Sequence, residues 1–197
     1  MLALVAIISL PAQASLAASG NVPAGQEKAK SCLGCHGQNG VSSIPGVPSL
    51  AGQRDQFIQW QLVFFRNGRR PNPLMAPLVA NLSDEDIRDL GAYFNSLPYS
   101  TAVASGTPDP DLTAKGREVA AHHGCANCHK DDFRGQQAAA AIAGQREDYL
   151  VKALRDYRSG ARPSTGVAAM TEAAGGLSDD EISQVAHYVA TLGPPGK

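Results

Sequence analysis

The chain has 197 residues, a formal net charge of −1 and 43% hydrophobic residues. That composition places it among globular chains and excludes the disordered, fibrous and membrane-spanning classes. Seven basic residues stand against six acidic before residue 98, and ten against twelve after it, so neither half has the basic stripe of a nucleic-acid binder.

Residues 1–19 hold an apolar run from Leu2 to Leu10, then Pro11 and small residues in the patterns Ala12-Gln13-Ala14 and Leu16-Ala17-Ala18. This predicts a secretory signal with a small-residue cleavage region, although no Lys or Arg precedes the run. An amino-terminal anchor is the other reading, but the run is too short to cross ~30 Å of hydrocarbon. Export is therefore expected.

A helix is predicted over Ala24–Cys35, leading into Cys32-Leu33-Gly34-Cys35-His36. A second helix follows, with Phe57, Ile58, Gln61, Leu62 and Phe65 on one face, and a third, with Ile87, Leu90, Gly91, Phe94 and Leu97 on another. Between them lies "RRPNPLMAPLVANLSD", in which Pro71, Pro73 and Pro77 predict a stiff, extended loop around Met75. Ser83, followed by acidic residues, predicts the start of the third helix. Pro98–Pro110 reads as a partly stiff linker.

The same order then recurs. A helix is predicted over Thr113–Cys128, leading into Cys125-Ala126-Asn127-Cys128-His129 at an offset of 93. "LAGQRDQF" returns as "IAGQREDY" and "FRNGRRP" as "YRSGARP" at 92, and "LSDEDIRDLGAYFNSL" as "LSDDEISQVAHYVATL" at 95, with Ser178 and Glu181 predicting a capping box. The chain is a tandem duplication with small loop insertions. The predicted organisation is all-α: signal 1–19, a first domain 20–98, a linker 99–110 and a second domain 111–197.

Each cysteine falls in one of the two C-x-x-C-H motifs, so none remains for a structural disulfide framework. Cysteines three apart share one face of a helical turn, where each thiol can form a thioether with a haem vinyl group, leaving the following His beneath the iron. A thioredoxin-like pair needs a βαβ context that is missing here. A Cys₄ zinc site or two local disulfides would leave both histidines unexplained. Two covalently bound haem c groups account for every residue of the motif.

Met75 and Met170 occupy matched places, offset 95, between the repeated Arg-Pro and Leu-Ser-Asp segments. One thioether per haem is what His/Met ligation requires, and it raises the reduction potential relative to bis-His ligation. The expected axial ligands are therefore His36 and Met75 for one iron, His129 and Met170 for the other. The Pro48 carbonyl, matched by Ala140, is the candidate partner for the second nitrogen of each proximal histidine. Gln53, Arg54, Gln145 and Arg146 are candidates for haem propionate contacts or are solvated helix starts. His122, His123 and His187 read as surface or partly buried helix histidines, with a pH-linked or rival-ligand role as the other reading.

On the paired motifs, the "PSLAGQ" segment, "FRNGRRPNPLM" and "LSDEDIRDLGAYF", residues 24–193 resemble the dihaem cytochrome c4 family. The resemblance implies two tandem domains similar to class I cytochrome c, carrying Cys32, Cys35, His36 and Met75, and Cys125, Cys128, His129 and Met170. It implies a periplasmic bacterial electron carrier rather than an enzyme, with redox partner proteins such as a membrane respiratory complex or terminal oxidase and peripheral membrane association. The other reading is the dihaem subunit of a flavocytochrome c sulfide dehydrogenase; a dihaem peroxidase is disfavoured by the two methionines. The second copy departs from the pattern at Ala140 and in the polar "HKDDFRG" after its motif, which predicts unequal potentials.

Overall fold

The computed structural model describes residues 19–99, 108–164 and 170–193. The predicted signal, apart from Ser19, lies outside the described residues, as does residue range 100–107 of the predicted linker. Among the described residues the regular elements are helices, with one isolated bridge between Gln136 and Ala139.

In the first half, α1 (Val22–His36) crosses α4 (Asp84–Ser96), while α2 (Asp55–Arg66) packs on α4 and the short α3 (Met75–Val79) on α2. The second half repeats this with α5 (Pro110–His122) on α9 (Asp179–Thr191), α7 (Glu147–Ser159) on α9, and α8 (Met170–Gly175) on α7. Each half has its own apolar cluster. Ala29, Ile58, Leu90, Tyr93 and Phe94 form the first; Val119, Phe133, Leu150, Ile182, Val185 and Val189 belong to the second. The predicted caps are in place. Ser83 pairs reciprocally with Asp86, and Ser178 with Glu181, satisfying the free amides at the starts of α4 and α9.

The helix crossings are close enough to require glycine. A Cβ added at Gly25 would lie 2.0 Å from the Asp89 carbonyl oxygen, and one at Gly116 would lie 2.0 Å from that of Gln184. These two contacts set where α1 and α5 meet the last helix of their half, and therefore where the haem motifs begin.

The spacing from that contact to the first cysteine differs between the copies. It is seven residues from Gly25 to Cys32 and nine from Gly116 to Cys125. Seven residues are close to two helical turns, leaving the two positions about 20° apart around the axis, whereas nine would put them on opposite sides. Accordingly α1 runs unbroken through His36, but the single helix predicted over Thr113–Cys128 is broken. α5 ends at His122, and Gly124, with φ +63°, takes the left-handed conformation. The Gly124 amide bonds to Ala121 and the Cys125 amide to Ala120, at 3.2 and 3.0 Å. This is a Schellman ending, after which α6 (Ala126–His129) restarts in the required direction. The residue at the corresponding place in the first copy is Ser31, which has no such preference.

Gly25→Val and Gly116→Val should each destabilise the haem-loaded protein by roughly 3 kcal/mol or more. Guanidinium unfolding followed by far-ultraviolet circular dichroism checks both outcomes.

Candidate haem sites

Each C-x-x-C-H motif delivers a buried histidine with one nitrogen already committed. His36 and His129 are 7% and 8% exposed. The Nδ1–H of His36 donates to the Pro48 carbonyl and that of His129 to the Ala140 carbonyl, both at 2.8 Å. The predicted carbonyl partners are thus the observed ones. This fixes the tautomer and leaves Nε2 as the free nitrogen. Burial pushes both imidazoles below their usual pKa, with the carbonyl bonds opposing it, which favours the neutral ring a metal requires.

None of the four cysteines is in a disulfide: Cys32 and Cys125 are half-buried, Cys35 and Cys128 exposed. Burial pushes the Cys32 and Cys125 thiols up. Among the described residues no group of three or more His, Cys, Asp or Glu side chains converges as a metal site.

The carbonyls behind the histidines sit on matching loops. The Gly40 carbonyl accepts the amides of Leu50 and Ala51 at 2.7 and 3.0 Å; the Phe133 carbonyl accepts those of Ile142 and Ala143 at 2.8 and 3.1 Å. Both loops need a left-handed backbone at equivalent positions. The first copy uses Gly37 and Gly40, with φ +88° and +72°; the second uses Lys130 and Phe133, at +69° and +54°. Non-glycine residues there are strained. Phe133 is compensated by burial, at 4% exposure, and by an edge-on contact with Tyr188 at 5.8 Å between ring centroids.

Met75 and Met170 are both half-buried; Met75 opens the short helix α3, and Met170 is the first described residue of α8. The loop predicted to be extended around Met75 is therefore helical from that residue onward. Asn72 explains the start: its Oδ1 accepts the amides of Leu74 and Met75, each at 2.9 Å. Pro77, third in α3, needs no helical amide partner and is tolerated there. In the second copy Ser164 and Thr171 bond reciprocally, Thr171 N to Ser164 Oγ at 2.7 Å and Ser164 N to Thr171 Oγ1 at 3.0 Å.

The predicted propionate contacts change hands. Gln53 and Gln145 are buried against the backbone of the opposite half. Arg54 donates to the Arg134 carbonyl at 2.7 Å, and Arg146 pairs with Asp148 at 3.0 Å. Two further arginines, Arg70 and Arg162, stand at matched positions of the repeated Arg-Pro segment. Both converge on the Tyr149 hydroxyl, at 3.3 Å each, and on Gln61 Oε1, at 2.7 and 2.8 Å. Each guanidinium also stacks on an aromatic ring, Arg70 over Phe65 at 4.4 Å and Arg162 over Tyr157 at 4.5 Å. Burial pushes the Tyr149 phenol up, but the Arg162 and Arg70 charges outweigh it and bring it down to about 8. Among the described residues neither arginine has a carboxylate partner, a deficit that a carboxylate-bearing group would repair. The repeated Arg-Pro was the signal for this cluster in the sequence, but its meeting with Tyr149 and Gln61 was not legible there.

The remaining histidines connect elements. His187, 9% exposed, accepts the Asp109 amide at Nε2, 3.0 Å, and contacts Glu147 through Nδ1 at 3.1 Å, tying the starts of α5 and α7 to α9. His123 lies 3.4 Å from Glu181 of the α9 capping box and packs edge-on against His122.

Cysteine pairs outside any disulfide, neutral imidazoles with Nε2 open, matched thioethers and two guanidiniums without a described carboxylate partner together fit two covalent haems with their propionates. Known proteins agree. Residues 113–193 match the family described as "Cytochrome c", and residues 23–94 the family described as "Cytochrome C oxidase, cbb3-type, subunit III". The cytochrome c4 of Pseudomonas aeruginosa is 34% identical over 185 residues, covering 89% of this chain and 90% of that protein. A thiosulfate dehydrogenase electron acceptor of Stutzerimonas stutzeri is 32% identical over 173 residues, covering 84% of this chain and 80% of that one. The reduced recombinant cytochrome c4 from Pseudomonas stutzeri superposes with a TM-score of 0.80 at 30% identity, covering 88% of this chain and all of that one. With both cysteine pairs free to hold covalent haem c, the chain belongs to the cytochrome c4 family, dihaem electron-transfer proteins of two cytochrome c domains.

Proposed function

We propose that this protein is an exported, periplasmic carrier that delivers electrons to a terminal oxidase or other respiratory acceptor, with domains 20–98 and 111–197 joined by a 99–110 linker. Cys32 and Cys35 anchor one haem and Cys125 and Cys128 the other. His36 and Met75, and His129 and Met170, are the axial ligands. The haems, when bound, supply reversible one-electron chemistry. The observation that carries this reading is the duplication of the donor set: each half pairs a locked, neutral imidazole with a half-buried thioether in a short helix. With both axial positions taken, neither iron has a place for substrate, which supports a carrier over a peroxidase.

A second reading is favoured by one observation, the likeness to the thiosulfate dehydrogenase electron acceptor. Under it the chain is the electron-accepting subunit of an oxidoreductase complex. The sulfide dehydrogenase partner expected from the sequence is of the same class.

A pyridine haemochrome assay of the mature protein should return two haem c groups per chain, and Cys32→Ala/Cys35→Ala should reduce this to one. Oxidised protein should show the near-red methionine-to-iron charge-transfer band, of which Met75→Ala and Met170→Ala each remove about half while lowering the potential of the affected haem. A band left intact by either substitution defeats that axial assignment. The two functional readings separate in stopped-flow mixing. The carrier reading expects reduced protein to be oxidised rapidly by respiratory membranes from the same cells, with no sulfur-compound oxidoreductase copurifying. The subunit reading expects copurification with such an enzyme and reduction on adding its sulfur substrate.

A further inference from the structure

We propose that Gln53 and Gln145 are positioning residues that act across the domain boundary, each setting the proximal histidine of the opposite domain's haem. The inference rests on the reading of His36 and His129 as proximal ligands. The peptide unit joining Pro48 to Ser49 is bonded at both ends. Its carbonyl accepts His36 Nδ1–H at 2.8 Å, and its N–H donates to Gln145 Oε1 at 2.9 Å. The unit joining Ala140 to Ala141 is held in the mirrored way, accepting His129 Nδ1–H at 2.8 Å and donating to Gln53 Oε1 at 2.7 Å. Each glutamine also donates through Nε2 to the next carbonyl, Gln145 to Ser49 and Gln53 to Ala141, both at 2.9 Å. All four residues of these pairs are buried: Ser49 7%, Gln53 5%, Ala141 4% and Gln145 7% exposed.

A peptide group whose N–H donates to a good acceptor is polarised, which makes its carbonyl a stronger acceptor, and low local dielectric magnifies the effect. A stronger acceptor at Nδ1–H gives the imidazole more anionic character and makes Nε2 a more basic ligand, which favours the oxidised iron and lowers the potential. Each glutamine also fixes the peptide plane, and with it the ring orientation. Domain 1 therefore sets the second haem through Gln53, and domain 2 sets the first through Gln145.

Gln53→Met and Gln145→Met in the haem-loaded full chain keep side-chain length and remove the acceptor. The readouts are the paramagnetically shifted Nδ1–H proton resonance of each histidine, assigned by contacts to Pro48 or Ala140, and the potential of each haem from a titration followed on the same spectra. Gln53→Met should shift the His129 resonance and raise the second haem's potential while leaving His36 and the first haem in place; Gln145→Met should do the reverse. Gln53→Glu, which keeps an oxygen towards the Ala141 amide, should hold the His129 resonance closer to its native position than Gln53→Met does. The proposal is overturned if each substitution moves the haem of its own domain, or both haems equally, or neither. Absence of a shifted Nδ1–H resonance from the unsubstituted protein would instead remove the ligand reading itself, and the proposal with it.

Discussion

A buried imidazole that presents one nitrogen to a metal needs its other nitrogen pinned, and the pin has to be a group that cannot itself turn away. In both halves the pin is a peptide carbonyl on an irregular loop, and a loop is where backbone is least constrained. The chain answers by anchoring that loop from behind. The Gly40 or Phe133 carbonyl takes two amides from the segment following the pin, and a glutamine from the other half closes the far end of the same peptide unit. The haem sites are therefore not self-contained: the orientation of each histidine depends on a glutamine 76 positions away in sequence for His129 and 109 for His36.

The duplication keeps this arrangement while tolerating insertions, because what it conserves is direction rather than residue count. Two extra residues between Gly116 and Cys125 would carry the second motif to the wrong side of α5 if the helix ran on. The Gly124 ending and the restart at Ala126 cancel the rotation. The same logic holds in the loop beyond the motif. Lys130 and Phe133 adopt the left-handed conformations that Gly37 and Gly40 supply more cheaply in the first copy, because the hydrogen bonds to the Phe133 carbonyl can form only with the chain turned that way.

Those details mark the limit of what could be read from residues alone. The all-α class, the tandem repeat, both capping boxes and the paired C-x-x-C-H motifs follow from local chemistry at short spacing, and local chemistry is what a sequence displays. Pro48 and Ala140 were identifiable as pins because they sit at matched offsets behind their histidines. The break before Cys125 had a visible signal in Gly124, but only the distance back to the helix crossing makes that glycine necessary, and the crossing is a tertiary contact. Asn72 as the residue that starts α3 was similarly hidden among prolines that suggested an extended chain. Gln53 and Gln145, just before α2 and α7, and Arg70 and Arg162, just after them, are ordinary polar residues until the two halves meet. The glutamines' partners lie in the other copy, and each arginine has one partner there, Tyr149 for Arg70 and Gln61 for Arg162, so no window within one copy contains the whole interaction.

The boundary between the halves is consequently specific in a way an apolar contact would not be. Its described bonds link glutamine amides to backbone, Arg54 to the Arg134 carbonyl, the Asp148 carboxylate to the Gly46 amide, and two guanidiniums to one phenol and one amide oxygen. A hydrogen bond of this kind adds only about 1 kcal/mol net, but a buried partner left without one costs about 1–3 kcal/mol, so a sliding or rotated boundary is penalised more than the correct one is rewarded. The clasp is also close to symmetric: both proximal histidines donate over the same distance to peptides held the same way. A difference in potential between the two haems then has to arise outside it. The candidates are places where symmetry fails beyond it: the charged stretch Lys130, Asp131 and Asp132 after the second motif, and the proline-poor sequence before Met170. These alter the local charge and the composition of the methionine side, while the histidine side is held alike in both domains by the other's glutamine.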